Sequence, residues 1–491
     1  MSSAYLAMPL RQLFKFPPDS QPQALPPPPV GSTLSAPPFS IPLSWYTAVL
    51  DIRVPITIAG IYAVTVTALN AYNRSRGNKP WRISKTKPFF WFVVAHNVFL
   101  AVYSAWTFVG MWQALKNSIQ HPNGPAGLVG TVDSFCKIHG PSGPGNAIAY
   151  NATSSQWTTQ SPYTVRLTEA GEPHSTDVGR MWNEGLAFYG WWFYLSKFYE
   201  VLDTVIILAK GKRSSTLQTY HHAGAMMCMW AGIRYMSAPI WMFCFVNSGI
   251  HALMYTYYTL TAFAVPIPNR LKRSLTTMQI IQFIIGVAFA TLHSFVFYSV
   301  PVQVPNSLQD SVKAATSVAS SAVSSVAAAA TSAGLASKVK TYLFRAAGEE
   351  GLAGTANGRQ VAEAHSRMAS AHGSGSGASY HTEYQTIPCV DTSGQTFAIW
   401  LNVLYLTPLT VLFVRFFIRS YIRRTTQKHQ HVPVVQASED AIKGLDRKIY
   451  QNGGLVNGNA NGHVANGKPN GHVANGKANG HVANGKASRK H

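Results

Sequence analysis

This chain has little charge. Of its 491 residues only 12% are Asp, Glu, Lys or Arg, about half the share usual in soluble domains. Acidic residues are the scarcest, 18 against 40 basic ones. Cysteine is scarce as well, with four in the whole chain, which excludes a disulfide-dense scaffold. The first 43 residues lack a basic n-region followed by an apolar h-region, so they do not read as a cleaved signal. No RNA- or DNA-binding motif accompanies the formal charge of +22, and nucleic acid is not an expected partner.

What the chain has instead is apolar runs near 20 residues long, each able to cross a bilayer as a helix, and 12% aromatic residues. The excess of Lys and Arg sits at one end of these runs, as the positive-inside pattern requires. The composition therefore predicts an all-α polytopic membrane protein with the lipid bilayer as its first partner.

Met1–Leu43 is rich in proline, with Pro26 to Pro29 consecutive, and residues 1–45 read as a disordered tail. A transmembrane domain over 46–300 follows, with spans expected at about Tyr46–Ala71, Phe89–Leu115, Gly185–Ala209, Thr216–Met236, Ile240–Val265 and Leu275–Val300. Residues 301–396 read as a low-complexity insertion with a Gly/Ser-rich middle. A seventh span falls at about Phe397–Ile418, within 397–424, and is closed by Arg419, Arg423 and Arg424. Residues 425–491 read as a disordered tail, in which near-copies of NGHVANGK start at Asn461, Asn470 and Asn479. A solenoid needs an apolar face in each repeat, and these have one valine and one alanine.

Placing the basic loops on the cytosolic side puts the N-terminus, loop 116–183 and the 301–396 insertion on the other side, and the C-terminus in the cytosol. Loop 116–183 carries the sequon Asn151-Ala-Thr153, a glycosylation acceptor on that side. Cys228 and Cys244 fall inside spans and read as small apolar residues. Cys136 and Cys389 both fall in segments assigned to the oxidising compartment, and a disulfide between them is expected.

Polar residues inside the spans are the candidates for function, because ionisable groups there are expensive. The third span contains Lys197, Glu200 and Asp203, spaced by three along one helix face, with Thr204 beside them. The fourth opens with Gln218, His221 and His222. The fifth has a stripe of Asn247, His251, Tyr255 and Tyr258, and the sixth has Gln279 and Gln282. A structural ion-pair network or core histidines would account for each cluster taken alone. A metal centre would need three or four converging ligands, and too few histidines are placed for one. A transporter or receptor without catalysis could use the same charges as a relay or ligand pocket. Acyl transfer fits the chemistry best, with one imidazole as nucleophile and a second as base.

The runs KFYEVLDT (197–204), QTYHH (218–222), NSGIHALMYTYY (247–258) and TTMQIIQ (276–282) resemble, in order and spacing, the successive signatures of the ELO family of fatty acid elongases. The resemblance implies a seven-helix fold with six helices in a barrel around an acyl chain, in the endoplasmic reticulum membrane. It implies an acyltransferase, a very-long-chain 3-oxoacyl-CoA synthase. That enzyme joins a long acyl-CoA to malonyl-CoA and releases CO2 and CoA, with no cofactor beyond its substrates. By the same resemblance His221 accepts the acyl group and His222 and His251 assist. The box usually begins with His where this chain has Gln218, a form resembling elongases that act on polyunsaturated chains. Lys197, Gln218 and Asn247 are candidate donors to the enolate formed by decarboxylation. Lys210, Lys212, Arg213, Arg270, Lys272 and Arg273 lie where CoA phosphates would enter. The ketoacyl reductase, dehydratase and enoyl reductase of the elongation cycle are implied partners, and a homodimer is left open.

Overall fold

Among the described residues, four helices are long and apolar enough to cross a membrane: Arg53–Ser75, Lys87–Ser118, Asn269–His293 and Ser393–Phe417. At 1.5 Å per residue each exceeds the roughly 30 Å of hydrocarbon in a bilayer. Their outward faces are greasy, as lipid contact demands; Leu404 is 68% and Val64 70% exposed. The computed structural model describes residues 3–159, 167–305 and 380–418, all of them within the unit Met1–Asn452. The C-terminal repeats, Arg419, Arg423, Arg424 and the middle of the insertion lie outside the described residues.

In chain order, a short strand β1 (Ala4–Leu6) leads to α1 (Leu43–Ala48) and α2 (Arg53–Ser75). The expected first span, Tyr46–Ala71, is thus broken at its start. Asp51 Oδ1 accepts from Arg53 N at 2.8 Å, an Asx-type turn that restarts the helix. α3 (Lys87–Ser118) is capped by Thr86, and α4 (Gly127–Cys136) and the hairpin β2 (Ile148–Asn151) and β3 (Gln156–Thr159) structure the loop after it. The next span runs through a π-helical stretch, Trp182–Gly190, kinked at Gly185 (φ 150°), into α5 (Trp191–Tyr199) and α6 (Val201–Ala209). α7 (Thr216–Arg234) starts on a Ser215 cap. α8 (Ile240–Met242) passes through a π-helical turn, Phe243–Asn247, into α9 (Ser248–Ala262).

α10 (Asn269–His293) ends short of the expected Val300, because the chain turns there into strand β4 (Val296–Pro305). β4 pairs antiparallel with β5 (Tyr380–Pro388) on one side and with β1 on the other. The two ends of the 301–396 insertion are therefore a built hairpin stem rather than linker. Tyr298, Val300, Val302 and Ile387 share one packed face, with Ser299 and Thr386 on the other. The last helix, α11 (Ser393–Phe417), starts on a Thr392 cap and packs against α7 and α10, while α3 packs against α9.

The proline-rich segment, expected to be disordered, is laid across the helices. Leu13, Ala24 and Leu25 are buried. Prolines cannot donate, but their own and their neighbours' carbonyls accept: Leu25 O takes the Trp182 indole at 3.1 Å, and Pro22 O and Ser20 O take the Arg234 guanidinium at 2.9 and 2.6 Å. A segment with few backbone donors needs few partners to be satisfied when buried. Cys136 and Cys389 are disulfide-bonded, Cα–Cα 4.7 Å, joining the end of α4 to the end of β5.

Candidate active site

The site is held between α3, α6, α7, α9, α10 and α11. At 3.6 residues per turn, α7 turns Gln218 and His222 to one face and His221 close beside them. A cavity between the helices is lined by Asn97, Glu200, Asp203, Gln218, His221, His222, His251, Met254, Tyr255, Tyr258 and Gln279, with Ile206, Ile207, Leu217 and Phe413 as its apolar wall. The four signature stretches of the sequence thus meet at one place.

Behind this wall is a buried ion-pair network. Lys197 Nζ donates to Glu200 Oε1 at 2.6 Å and to Asn247 Oδ1 at 3.2 Å, and Asn247 Nδ2 donates to Gln282 Oε1 at 3.4 Å. His251 Nδ1 lies 3.6 Å from the same Glu200 oxygen. A second network joins Asp203 to Tyr255 Oη at 2.6 Å and to His96 Nε2 at 2.8 Å. Each charge is held by hydrogen-bonded partners, the arrangement that makes ionic groups tolerable between apolar helices. Thr204 bonds Tyr62 at 2.9 Å, and Gln218 Nε2 lies 3.2 Å from His222 Nε2 and 3.5 Å from Thr204 Oγ1. Lys197, Thr204, Asn247 and Gln282 therefore support the cavity rather than line it.

Two buried groups at the cavity lack partners among the described residues. Asn97 has no exposure, and neither its Nδ2 nor its Oδ1 is hydrogen-bonded; Glu200 Oε2 is likewise unpaired. Polar atoms left in this state cost free energy unless something else occupies them.

Lys210, Lys212 and Arg213 do not reach the cavity. They sit on the loop between α6 and α7, which is tied to the Asn78–Trp81 turn by Trp81 N→Ala209 O at 2.9 Å and to Asn70 through Ser214. This groups them with the basic residues before α3. Asn151 is exposed at the end of β2. Among the described residues, the one group of three His, Cys, Asp or Glu side chains with converging ligand atoms is Cys136, His293 and Cys389. Its two sulfurs are the disulfide.

Sequence reasoning missed Tyr405 and Tyr62. Tyr405 Oη donates to His221 O at 2.9 Å and lies 3.0 Å from His221 Nδ1. The available signal was the i, i+3 pair of Asn402 and Tyr405 in an otherwise apolar span. Tyr62 had no such signal, being one ring in a helix of mixed apolar residues.

A family model described as ELO: GNS1/SUR4 family matches residues 47–429. Very long chain fatty acid elongase 4 of Homo sapiens is 39% identical over 107 residues, 21% of this chain and 34% of that protein. Putative fatty acid elongase 3 of Caenorhabditis elegans is 34% identical over 101 residues, 20% of this chain and 32% of its own length. Fatty acid elongase 2 of Trypanosoma brucei brucei is 32% identical over 124 residues, 25% of this chain and 46% of its own. The chain thus spans less than half the length of these curated relatives. No solved structure matches it.

Proposed function

The chain belongs to the ELO (GNS1/SUR4) family, and on that premise we propose that it is the condensing enzyme of fatty acid elongation. The observation that carries this reading is the meeting of His221, His222 and His251 on one cavity, backed by the Lys197–Glu200–Asn247 network, between membrane-length helices. A hydrophobic setting suits an acyl tail, and a polar end suits the reacting carbonyls.

In this proposal an imidazole, His221, attacks the acyl-CoA thioester; CoA leaves and the acyl group is carried on the ring. Malonyl-CoA then loses CO2, and the resulting enolate attacks the acyl carbon to give 3-oxoacyl-CoA. Donors fixed in place favour the enolate, since they need not reorganise as charge develops. Gln218 Nε2 is such a donor at the cavity. Gln218 in place of histidine also favours polyunsaturated acyl chains as substrates. The protein would cross the endoplasmic reticulum membrane seven times, six of its helices forming a barrel around the chain. Its N-terminus would be lumenal, and its basic loops cytosolic to receive CoA. The product would pass to a ketoacyl reductase, a dehydratase and an enoyl reductase.

Purified protein in lipid, given acyl-CoA and malonyl-CoA labelled in its free carboxyl, releases labelled CO2 and forms 3-oxoacyl-CoA. Monodisperse protein that turns over no saturated or polyunsaturated acyl-CoA refutes the proposal.

A further inference from the structure

Tyr405 sits on α11, and its ring reaches α7 because residue 224 is glycine; a Cβ there would collide with the ring. Tyr220 holds the ring from the side, stacked at 5.5 Å, and donates its own hydroxyl to Tyr405 O at 3.2 Å. The Tyr405 oxygen is left facing two atoms of one residue, the His221 carbonyl at 2.9 Å and His221 Nδ1 at 3.0 Å.

A phenol has one proton and a carbonyl can only accept, so for both contacts to be hydrogen bonds the Tyr405 proton goes to His221 O. The phenolic oxygen then has only lone pairs to offer Nδ1. Nδ1 must therefore carry a hydrogen, and a neutral imidazole has just one. Nε2 is left with a bare lone pair. The ring lines the cavity, and among the described residues Nε2 has no hydrogen-bond partner. Phe283 and Phe413 close its flanks at 6.3 and 6.2 Å, so the ring is held by packing as well.

We propose that Tyr405 is a positioning residue that holds His221 in the Nδ1–H tautomer and so presents Nε2 to the acyl-CoA thioester. The proposal rests on the acyl-acceptor role given to His221 above. Nε2 attacks the thioester carbonyl, the N–C bond forms, the C–S bond breaks, and CoA departs as the thiolate. The ring keeps its Nδ1 proton and gains a positive charge, which the Tyr405 oxygen faces. When the enolate attacks the acyl carbon, the N–C bond breaks and its electron pair returns to Nε2. The partner of one ring nitrogen commonly decides the state of the other in this way.

The test reads the tautomer directly. Protein labelled with 15N-histidine in lipid nanodiscs is compared with His221→Ala to isolate the His221 signals. Expected are a protonated Nδ1 and an unprotonated Nε2 in the native chain, and a mixture of both tautomers in Tyr405→Phe, which keeps the ring and loses the hydroxyl. In the same variant kcat falls about fivefold to tenfold, the reach of one neutral hydrogen bond, while KM for acyl-CoA stays within about twofold. Tyr220→Phe, which keeps the stacked ring and loses only the bond to the Tyr405 carbonyl, leaves tautomer and kcat unchanged. A native Nε2–H, or a Tyr405→Phe spectrum identical to the native one, overturns the proposal. If the native protein proves inert towards acyl-CoA, the acyl-acceptor reading fails, and the spectra still decide what Tyr405 does to His221. If Tyr405→Phe does not fold, the native spectrum decides alone.

Discussion

Two buried ionic clusters in this molecule use the same residue types to different ends. Outside the membrane-length helices, Arg180 bonds Asp133 Oδ2 at 2.7 Å and the carbonyls of Pro141, Lys137 and Gly143 at 2.7 to 3.0 Å, and Tyr298 donates to Asp133 Oδ1 at 2.8 Å. Lys137 bonds Asp391, whose carboxyl is pushed up by burial against the pull of that lysine. The disulfide lies beside them. Both Asp133 oxygens and all of the Arg180 nitrogens are engaged there. The cluster between the helices is left unfinished: Glu200 has one unpaired oxygen, and Asn97 has both ends free among the described residues. A closed network is a staple; one that leaves polar atoms facing a cavity is arranged for a further molecule.

The largest effect should come from the open cluster. His221→Ala is expected to lower turnover about a thousandfold or more, as loss of a nucleophile does, with the melting temperature almost unchanged; an assay of labelled CO2 release beside a thermal scan checks both. The closed cluster should answer oppositely. Arg180→Leu strands the Asp133 charge and should cost about 3–5 kcal/mol of stability, while the protein that still folds keeps its KM. Thermal unfolding in detergent, with kinetics on the soluble fraction, separates the two.

Removing the disulfide by Cys136→Ser with Cys389→Ser should cost about 2–4 kcal/mol. The chain-entropy limit for a separation of 253 residues is higher, about 5 kcal/mol, but helices confined by a membrane leave less entropy to lose. Protease sensitivity of the double variant, beside that of the native chain with and without reductant, measures it. Asn97→Leu sharpens the contrast most directly. Deleting an unpartnered buried amide should change stability by no more than about 1 kcal/mol, towards stabilisation, while turnover falls about tenfold. Equal losses of stability and activity would mean that Asn97 is part of a staple after all.

A last effect is confined to acid pH. His139, packed between Trp157 and Trp182, has its pKa lowered to about 3 by burial, with the Arg180 charge adding to it. The unfolded chain therefore takes up this proton first as pH falls. The contribution is intact above the ordinary value of 6.5 and is lost progressively towards pH 3, by at most about 1.4 kcal/mol per unit. Proteolysis of the 119–181 segment should quicken between pH 7 and pH 5, and His139→Gln should flatten that dependence.

How much of this was legible in the sequence follows from the range of the forces involved. The membrane-length helices were, because about 20 apolar residues in a row have no other good solvent. So were residues of the cavity and of the network behind it, since Lys197, Glu200, Asp203, His221, His222 and His251 are costly groups to place in apolar runs. Helix ends were less legible. α10 stops at His293 because β4 finds a partner in β5, some 80 residues later in the chain, and no local pattern announces that pairing.

The proline-rich segment looked unable to bury enough apolar surface on its own. It is ordered by donors that other elements supply, the Trp182 indole and the Arg234 guanidinium.

The sequence by itself therefore determined the solvent, the helices and the chemical types at the site, because burial and periodicity act along the chain. Tertiary structure alone decided which polar atoms are satisfied and which are not. Glu200 Oε1 is taken by Lys197 while Oε2 has no partner among the described residues, and Tyr405 reaches His221 across 184 residues because Gly224 leaves it room. Hydrogen bonds act over about 3 Å, so their partners are chosen only once the helices have packed.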